Sequence, residues 1–163
     1  MAREFIEDPE VDQIPFESLK NVYQIWQKIS MEHGHAAREH LSPVALKDHL
    51  PYLSLVDRDV ESGRFKVRLI GTRYSEAIGF ETTGVWIDEL PNTEQLRSRF
   101  QWLVDNRKPY YAYLDEMQWA GKDYRHYGVI GCPLFDINRE VNMLLFCVTF
   151  ERIDSKQDMN SLF

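Results

Sequence analysis

The sequence predicts an α+β fold: a five-stranded antiparallel sheet, short helices over one of its faces, and an amphipathic helix ahead of it. Apolar residues recur at helical spacing in only two sizeable stretches, Phe16 to Ser30 and Leu96 to Val104. Strand-like runs bounded by turn residues occupy Leu53 to Leu69 and most of Tyr110 to Arg152. Between them, Phe65 to Leu90 orders strand, short helix, glycine, loop, glycine and short helix within about 25 residues.

Composition sets the limits. A chain of 163 residues fits one domain, and a domain of this size buries roughly 70% of the surface its unfolded chain exposes. The hydrophobic share of 44% against 28% charged residues supports a packed core and opposes long disorder. A net charge of -7 leaves no basic footprint for nucleic acid. Neither a signal-type apolar run nor a membrane-length one is present, so a cytoplasmic protein without membrane contact is expected. Cys132 and Cys147 stand alone, which suggests neither a zinc site nor a disulfide framework.

Taken in order, residues 1–14 are acidic, contain Pro9, and read as a loosely held leader. Leu19, Val22, Tyr23, Trp26 and Ile29 then draw one stripe along a helix of about four turns, with Ile25 off the stripe. Such a helix can pack on its own sheet or, using Ile25 as well, meet a partner chain. His33, His35 and His40 follow within eight residues, but their spacing fits no standard metal signature, and a solvated polar loop is expected. Ser42-Pro43 is an N-cap followed by proline, opening a short helix toward His49. Leu53 to Leu69 reads as a hairpin turning at Glu61-Ser62-Gly63. Thr72 is the expected N-cap and Gly79 the expected C-cap of the next short helix.

Pro91-Asn92-Thr93 introduces a longer helix with Leu96, Phe100, Leu103 and Val104 inside and Arg97, Arg99, Gln101 and Asp105 outside. Three strands complete the chain. In the last, Val141, Met143, Leu145 and Cys147 alternate with Leu144, Phe146, Val148 and Phe150, so both sheet faces need a cover. The expected division is a leader over 1–14, the helix and its loop over 15–40, the folded domain over 41–153 and a polar tail over 154–163.

The run Arg68-Leu-Ile-Gly-Thr72, then Tyr74 through Gly84, then Ile87-Asp-Glu-Leu90 resembles the bacterial PAS-5 family of PAS domains. Trp26 on the preceding helix and Leu50-Pro-Tyr-Leu-Ser-Leu-Val-Asp57 extend the resemblance, which covers roughly Leu19 to Arg152. It implies a PAS-like sheet in the order 2-1-5-4-3, a pocket between sheet and short helices, and a sensory or signalling module. The cofactors known for such domains are each opposed by a missing residue. The asparagine-cysteine-arginine-phenylalanine-leucine run of flavin photosensors is absent, Leu96 to Asn106 has no histidine for haem, and both cysteines lie on strands rather than where a coumaryl chromophore attaches. No cofactor is therefore expected.

What remains is a small organic ligand, a protein partner, or both. Tyr74, Ile78, Phe100, Leu103, Tyr113, Tyr127, Cys132 and Cys147, with Tyr111, are the candidates to line a ligand pocket, although each would equally serve as plain core. Arg68, Arg125 and His126 are the polar candidates for a carboxylate. PAS domains resembling this one commonly pair through the N-terminal helix, so Leu19, Val22, Tyr23, Ile25, Trp26 and Ile29 are the expected homodimer contact; in the competing arrangement they cover the chain's own sheet. A pure interaction scaffold without ligand is one alternative. An acid-base enzyme using Asp115 or Glu116 with Tyr113 or Tyr127 is another, but no nucleophile-base pair or metal set singles it out.

Overall fold

The computed structural model describes residues 2–114, 120–121 and 126–152. Strands β1 (Ala2–Glu7), β2 (Leu53–Arg58), β3 (Phe65–Ile70), β4 (Tyr110–Leu114), β5 (Tyr127–Phe135) and β6 (Val141–Thr149) form one antiparallel sheet in the order β1-β4-β5-β6-β2-β3. Helices α1 (Glu17–His33), α2 (Pro43–Leu46), α3 (Thr72–Ile78) and α4 (Glu94–Asn106) complete it, with 3-10 turns at Leu50–Tyr52 and Ile87–Glu89 among others. The last five strands carry the order 2-1-5-4-3 that the resemblance implied. The sixth, β1, was not expected.

The leader reading of residues 1–14 is thereby corrected. Backbone pairing against the open edge of β4 depends on N–H and C=O groups rather than on side-chain composition, and Glu4 to Glu7 pair with Tyr113 to Tyr110. Phe5 adds a stack on Tyr110 at 4.8 Å, and the Tyr23 hydroxyl donates to the Pro9 carbonyl at 2.7 Å. The tail over 154–163 lies outside the described residues, as do Asp115 to Trp119 and Lys122 to Arg125.

Two apolar layers sandwich the sheet. On the outer face α1 lays Leu19, Val22, Tyr23, Trp26 and Ile29 over Leu53, Leu55, Tyr111, Tyr113, Ile130, Cys132, Leu145 and Cys147. The stripe expected to meet a partner is therefore spent within the chain, and Ile25 is half-buried beside it. Polar contacts fix the docking. β4 pairs with β5 only as far as Gly131, so Pro133 and Phe135 have no β4 residue opposite them. Trp26 Nε1 donates to the Pro133 carbonyl at 2.9 Å, and the Phe135 N–H donates to the Ala36 carbonyl at 2.8 Å. The helix ends at Gly34, whose φ of 79° is the left-handed stop that glycine favours.

The inner layer packs α3, the Ile87–Glu89 turn and α4 on Val56, Val67, Tyr110, Tyr127, Val129, Leu144, Phe146 and Val148. Val141 joins this face instead of the Met143 face expected for it, because the register of β5 and β6 shifts between Leu134 and Phe135. The N-cap of α3 is Gly71, with Thr72 the first helical residue; extended backbone at Gly71 carries the chain against Leu50 and Pro51, so no capping hydroxyl is used. Gly79 ends α3 with φ 92°, and Ser42 Oγ accepts from the Ala45 N–H ahead of α2, both as expected.

Candidate functional site

The inner face holds the candidate site. Between β2, β3 and β6 below and α3, the Ile87–Glu89 turn and α4 above lies a cavity of about 30 Å³, walled by Val56, Val67, Tyr74, Ile78, Leu96 and Phe146, among others. That is room for one or two waters. Its polar walls are Ser54 and Thr82, and the Thr82 hydroxyl has no hydrogen-bond partner although the residue is only 2% exposed.

The roof over this cavity is pinned at both ends. Thr93, fully buried, donates to the carbonyls of Ile87 and Leu90 at 3.1 and 3.0 Å, tying the turn to the start of α4. On the β3 side, the Gly84 N–H donates to Val67 O at 2.7 Å and the Val67 N–H donates to Val85 O at 3.0 Å, so the loop caps the sheet edge. Arg64 reaches Asp88 with Nε at 3.0 Å and Nη2 at 3.1 Å while lying over the Trp86 ring at 4.3 Å. Its hydrogen bond holds the Asp88 carboxyl below the usual range.

On α4, Arg99 is half-buried, correcting its expected place on the exposed outer face. It stands three residues after Leu96 and four before Leu103, and so shares the face of those two core residues. Its Nε is enclosed without a partner. No carboxylate among the described residues forms an ion pair with it. Burial pushes the Tyr74 and Tyr110 phenols well above their ordinary range, so both remain neutral hydroxyls.

The eight expected ligand residues divide between the layers. Tyr74, Ile78, Phe100, Leu103 and Tyr127 are together on the inner face, and the first three border the cavity or its roof. Tyr113, Cys132 and Cys147 are on the opposite face under α1, as is Tyr111. Strand alternation requires this: in β5 Tyr127 and Cys132 differ by an odd number of residues and cannot share a face. Burial raises both thiols, Cys147 to about 12, which leaves them as inert core groups.

Among the carboxylate candidates, Arg68 is exposed and bonded to Asp57 at 3.3 Å, and His126 stacks on Tyr113 at 6.2 Å, away from the cavity. Arg125, Asp115 and Glu116 lie outside the described residues, and Tyr113 and Tyr127 lie on opposite sheet faces. The stretch of histidines is largely exposed: His33, on the last turn of α1, is exposed, and His35 and His40 are half-buried. His33 and His40 stack at 3.8 Å with His35 edge-on to His40 at 6.2 Å, in a groove beside Phe135 and Asn142. Stacked rings do not converge on one point, and no metal-holding group of three His, Cys, Asp or Glu occurs among the described residues.

Thr82 and Arg99 escaped the sequence reading. Arg99 was findable from its spacing to Leu96 and Leu103. Thr82 had no such signal, since its burial comes from the loop folding over β3.

The family model described as a PAS domain matches residues 15–113. Among solved structures, the chain is similar to the PAS domain of Bordetella pertussis BvgS, with 15% identity, 73% of this chain and 91% of that one covered, and a TM-score of 0.49. A sensory box sensor histidine kinase from Vibrio cholerae also shares 15% identity over 78% of this chain and 99% of its own, with a TM-score of 0.49. The light-state LOV structure of the blue-light photoreceptor Aureochrome1 shares 11% identity over 72% and 95%, again at 0.49. No curated protein matches the chain.

Proposed function

This chain belongs to the PAS domain family, and from that premise we propose that it is a sensory module whose inner cleft takes a small organic molecule. PAS domains are sensory and signalling modules and are not, in general, catalysts. The observation that carries the ligand is the Thr82 hydroxyl, sealed into an otherwise largely apolar cavity without a partner. Leaving such a group unsatisfied costs roughly 1–3 kcal/mol, and a ligand atom or water that bonds to it removes the cost. A few convergent polar groups in an apolar pocket are the usual makeup of a small-molecule site. The pinned roof then gives the module a way to report occupancy, because a molecule larger than the cavity must shift α3 or the Ile87–Glu89 turn against the sheet.

The test combines native mass spectrometry of the purified full chain with a Thr82→Val variant of nearly the same shape. The proposal expects a retained or added small molecule on the wild-type chain, weaker retention by Thr82→Val, and an unliganded variant at least as stable as wild type. A bare chain in the presence of every ligand class, or retention untouched by Thr82→Val, would contradict it.

Action through a homodimer and a separate signalling partner belongs to the same proposal. With the stripe of α1 engaged on its own sheet, the pairing surface is sought elsewhere, and Leu50 and Leu69, 40% and 48% exposed, are candidates for it. Sedimentation equilibrium should then show a dimer that Leu69→Glu weakens; a monomer at micromolar concentration removes this part of the proposal. No helix among the described residues is long and apolar enough to cross a membrane.

A further inference from the structure

The walls of the Thr82 cavity narrow the class of molecule that fits it, which deepens the ligand reading just given and rests on it. Among the described residues, no wall of the cavity carries a charge: Ser54, Thr82 and the Tyr74 phenol are its polar members, and the others are aliphatic or phenylalanine. Burial keeps that phenol protonated. An ion entering here exchanges its hydration for hydrocarbon and meets no opposite charge, which is strongly disfavoured. A pure hydrocarbon fills the space but leaves the Thr82 hydroxyl, on a residue 2% exposed, still without a partner. A neutral molecule with one oxygen and a short apolar body meets both conditions. Because a threonine hydroxyl both donates and accepts, a hydroxyl and a carbonyl oxygen satisfy it alike.

We propose that the cavity takes a small uncharged alcohol or carbonyl compound, its oxygen on the Thr82 hydroxyl and its alkyl part against Val56, Ile78, Leu96 and Phe146. Thr82 then selects for a polar atom, and the uncharged walls select against acids and amines. A cavity of about 30 Å³ limits the molecule to roughly two or three non-hydrogen atoms while the roof stays in place. So few contact atoms hold the dissociation constant at about millimolar or weaker.

The experiment is methyl NMR titration of the full chain with ethanol, ethylammonium and formate, each of three non-hydrogen atoms, on wild type, Thr82→Val and Thr82→Ser. Ethanol is expected to shift the Val67 and Ile78 methyls saturably, and the two ions to leave them unmoved. Thr82→Val should weaken ethanol at least ~5-fold. Thr82→Ser, which keeps the hydroxyl, should stay within ~2-fold of wild type and serves if Thr82→Val disturbs the loop. Ethylammonium or formate bound as tightly as ethanol overturns the neutral class while leaving the ligand reading in place. Where native mass spectra show a retained molecule, an uncharged one bearing oxygen supports the class, and any other overturns it without touching the ligand reading. Ethanol bound equally by wild type and Thr82→Val overturns both, as does a bare chain that binds none of the three.

Discussion

Replacing Trp26 by phenylalanine tests whether α1 is part of its own domain. In the structure Trp26 is 9% exposed, and its indole N–H reaches the Pro133 carbonyl at 2.9 Å, beyond the last residue of β5 that pairs with β4. Phenylalanine preserves the ring against Tyr23, whose centroid lies 6.2 Å away, but removes the donor. Leaving the Pro133 carbonyl buried and unpaired costs ~1–3 kcal/mol, and the space vacated by the smaller ring adds roughly 1 kcal/mol. The expected loss of about 2–4 kcal/mol is a large part of the ~5–15 kcal/mol that holds a domain of this size. Urea unfolding followed by far-ultraviolet circular dichroism, at two protein concentrations tenfold apart, measures it. For a helix docked in its own chain, Trp26→Phe lowers the midpoint by the same amount at both concentrations. A loss below ~0.5 kcal/mol, within the range of ordinary surface changes, or a Trp26→Phe loss that shrinks as the protein is concentrated, would refute intramolecular docking.

Gly71→Ala should destabilise by ~3 kcal/mol or more, at or past the top of the overpacking range, because its Cβ would enter the backbone of Leu50 and Pro51, which cannot rotate away; a denaturation midpoint unchanged from wild type would show that this approach is misplaced. Gly79→Ala, at φ 92°, should cost on the order of 1 kcal/mol, whereas Ser62→Ala in the exposed hairpin turn should cost less than half of that; equal costs would remove the special role of the C-cap. Burial raises the phenols of Tyr23, Tyr74, Tyr110 and Tyr111 above the ordinary value of 10.0. Their folded-state contribution is therefore fully present below pH 10 and lost as pH climbs beyond it, so thermal stability should fall steeply only above about pH 10. Spectrophotometric titration in which all tyrosines ionise together near pH 10 in still-folded protein would contradict that.

Periodicity identified elements better than it identified faces. The α1 stripe, the α4 stripe and the alternating last strand are present because apolar spacing is dictated by 3.6- and 2-residue repeats. What spacing cannot decide is which side of a sheet meets which helix when both sides are apolar. β4 illustrates this: Tyr111 and Tyr113 look outward under α1, Tyr110 inward beneath α4, and nothing in the run Tyr-Tyr-Ala-Tyr-Leu distinguishes them. Parity, however, needs only residue numbers. It separates Tyr127 from Cys132 and Phe146 from Cys147, and it places one member of each pair outside the ligand cleft.

Other parts had no local signature. β1 is acidic and follows no strand pattern, and it forms because β4 offers it an unpaired edge. Thr82 belongs to a loop whose position depends on hydrogen bonds to Val67 in a different element. That α1 covers its own sheet rests on contacts of Trp26 and Ala36 with β5 beyond its pairing with β4, a tertiary property. Arg99 is the instructive intermediate, since its position on the α4 wheel pointed inward while its charge pointed outward. A half-buried arginine whose Nε has no partner is a local conflict between charge and position.

Ligand entry on the inner face of the sheet is tested most directly by two-dimensional amide and methyl NMR of the full chain titrated with a series of small organic molecules. Progressive, saturable shifts are expected at Val67, Ile78, Thr82, Leu96 and Phe146, which line the cavity, with the outer-face reporters Leu55, Ile130 and Leu145 unmoved. Shifts confined to the outer layer, or none at saturating concentration of any ligand in the series, would contradict inner-face binding.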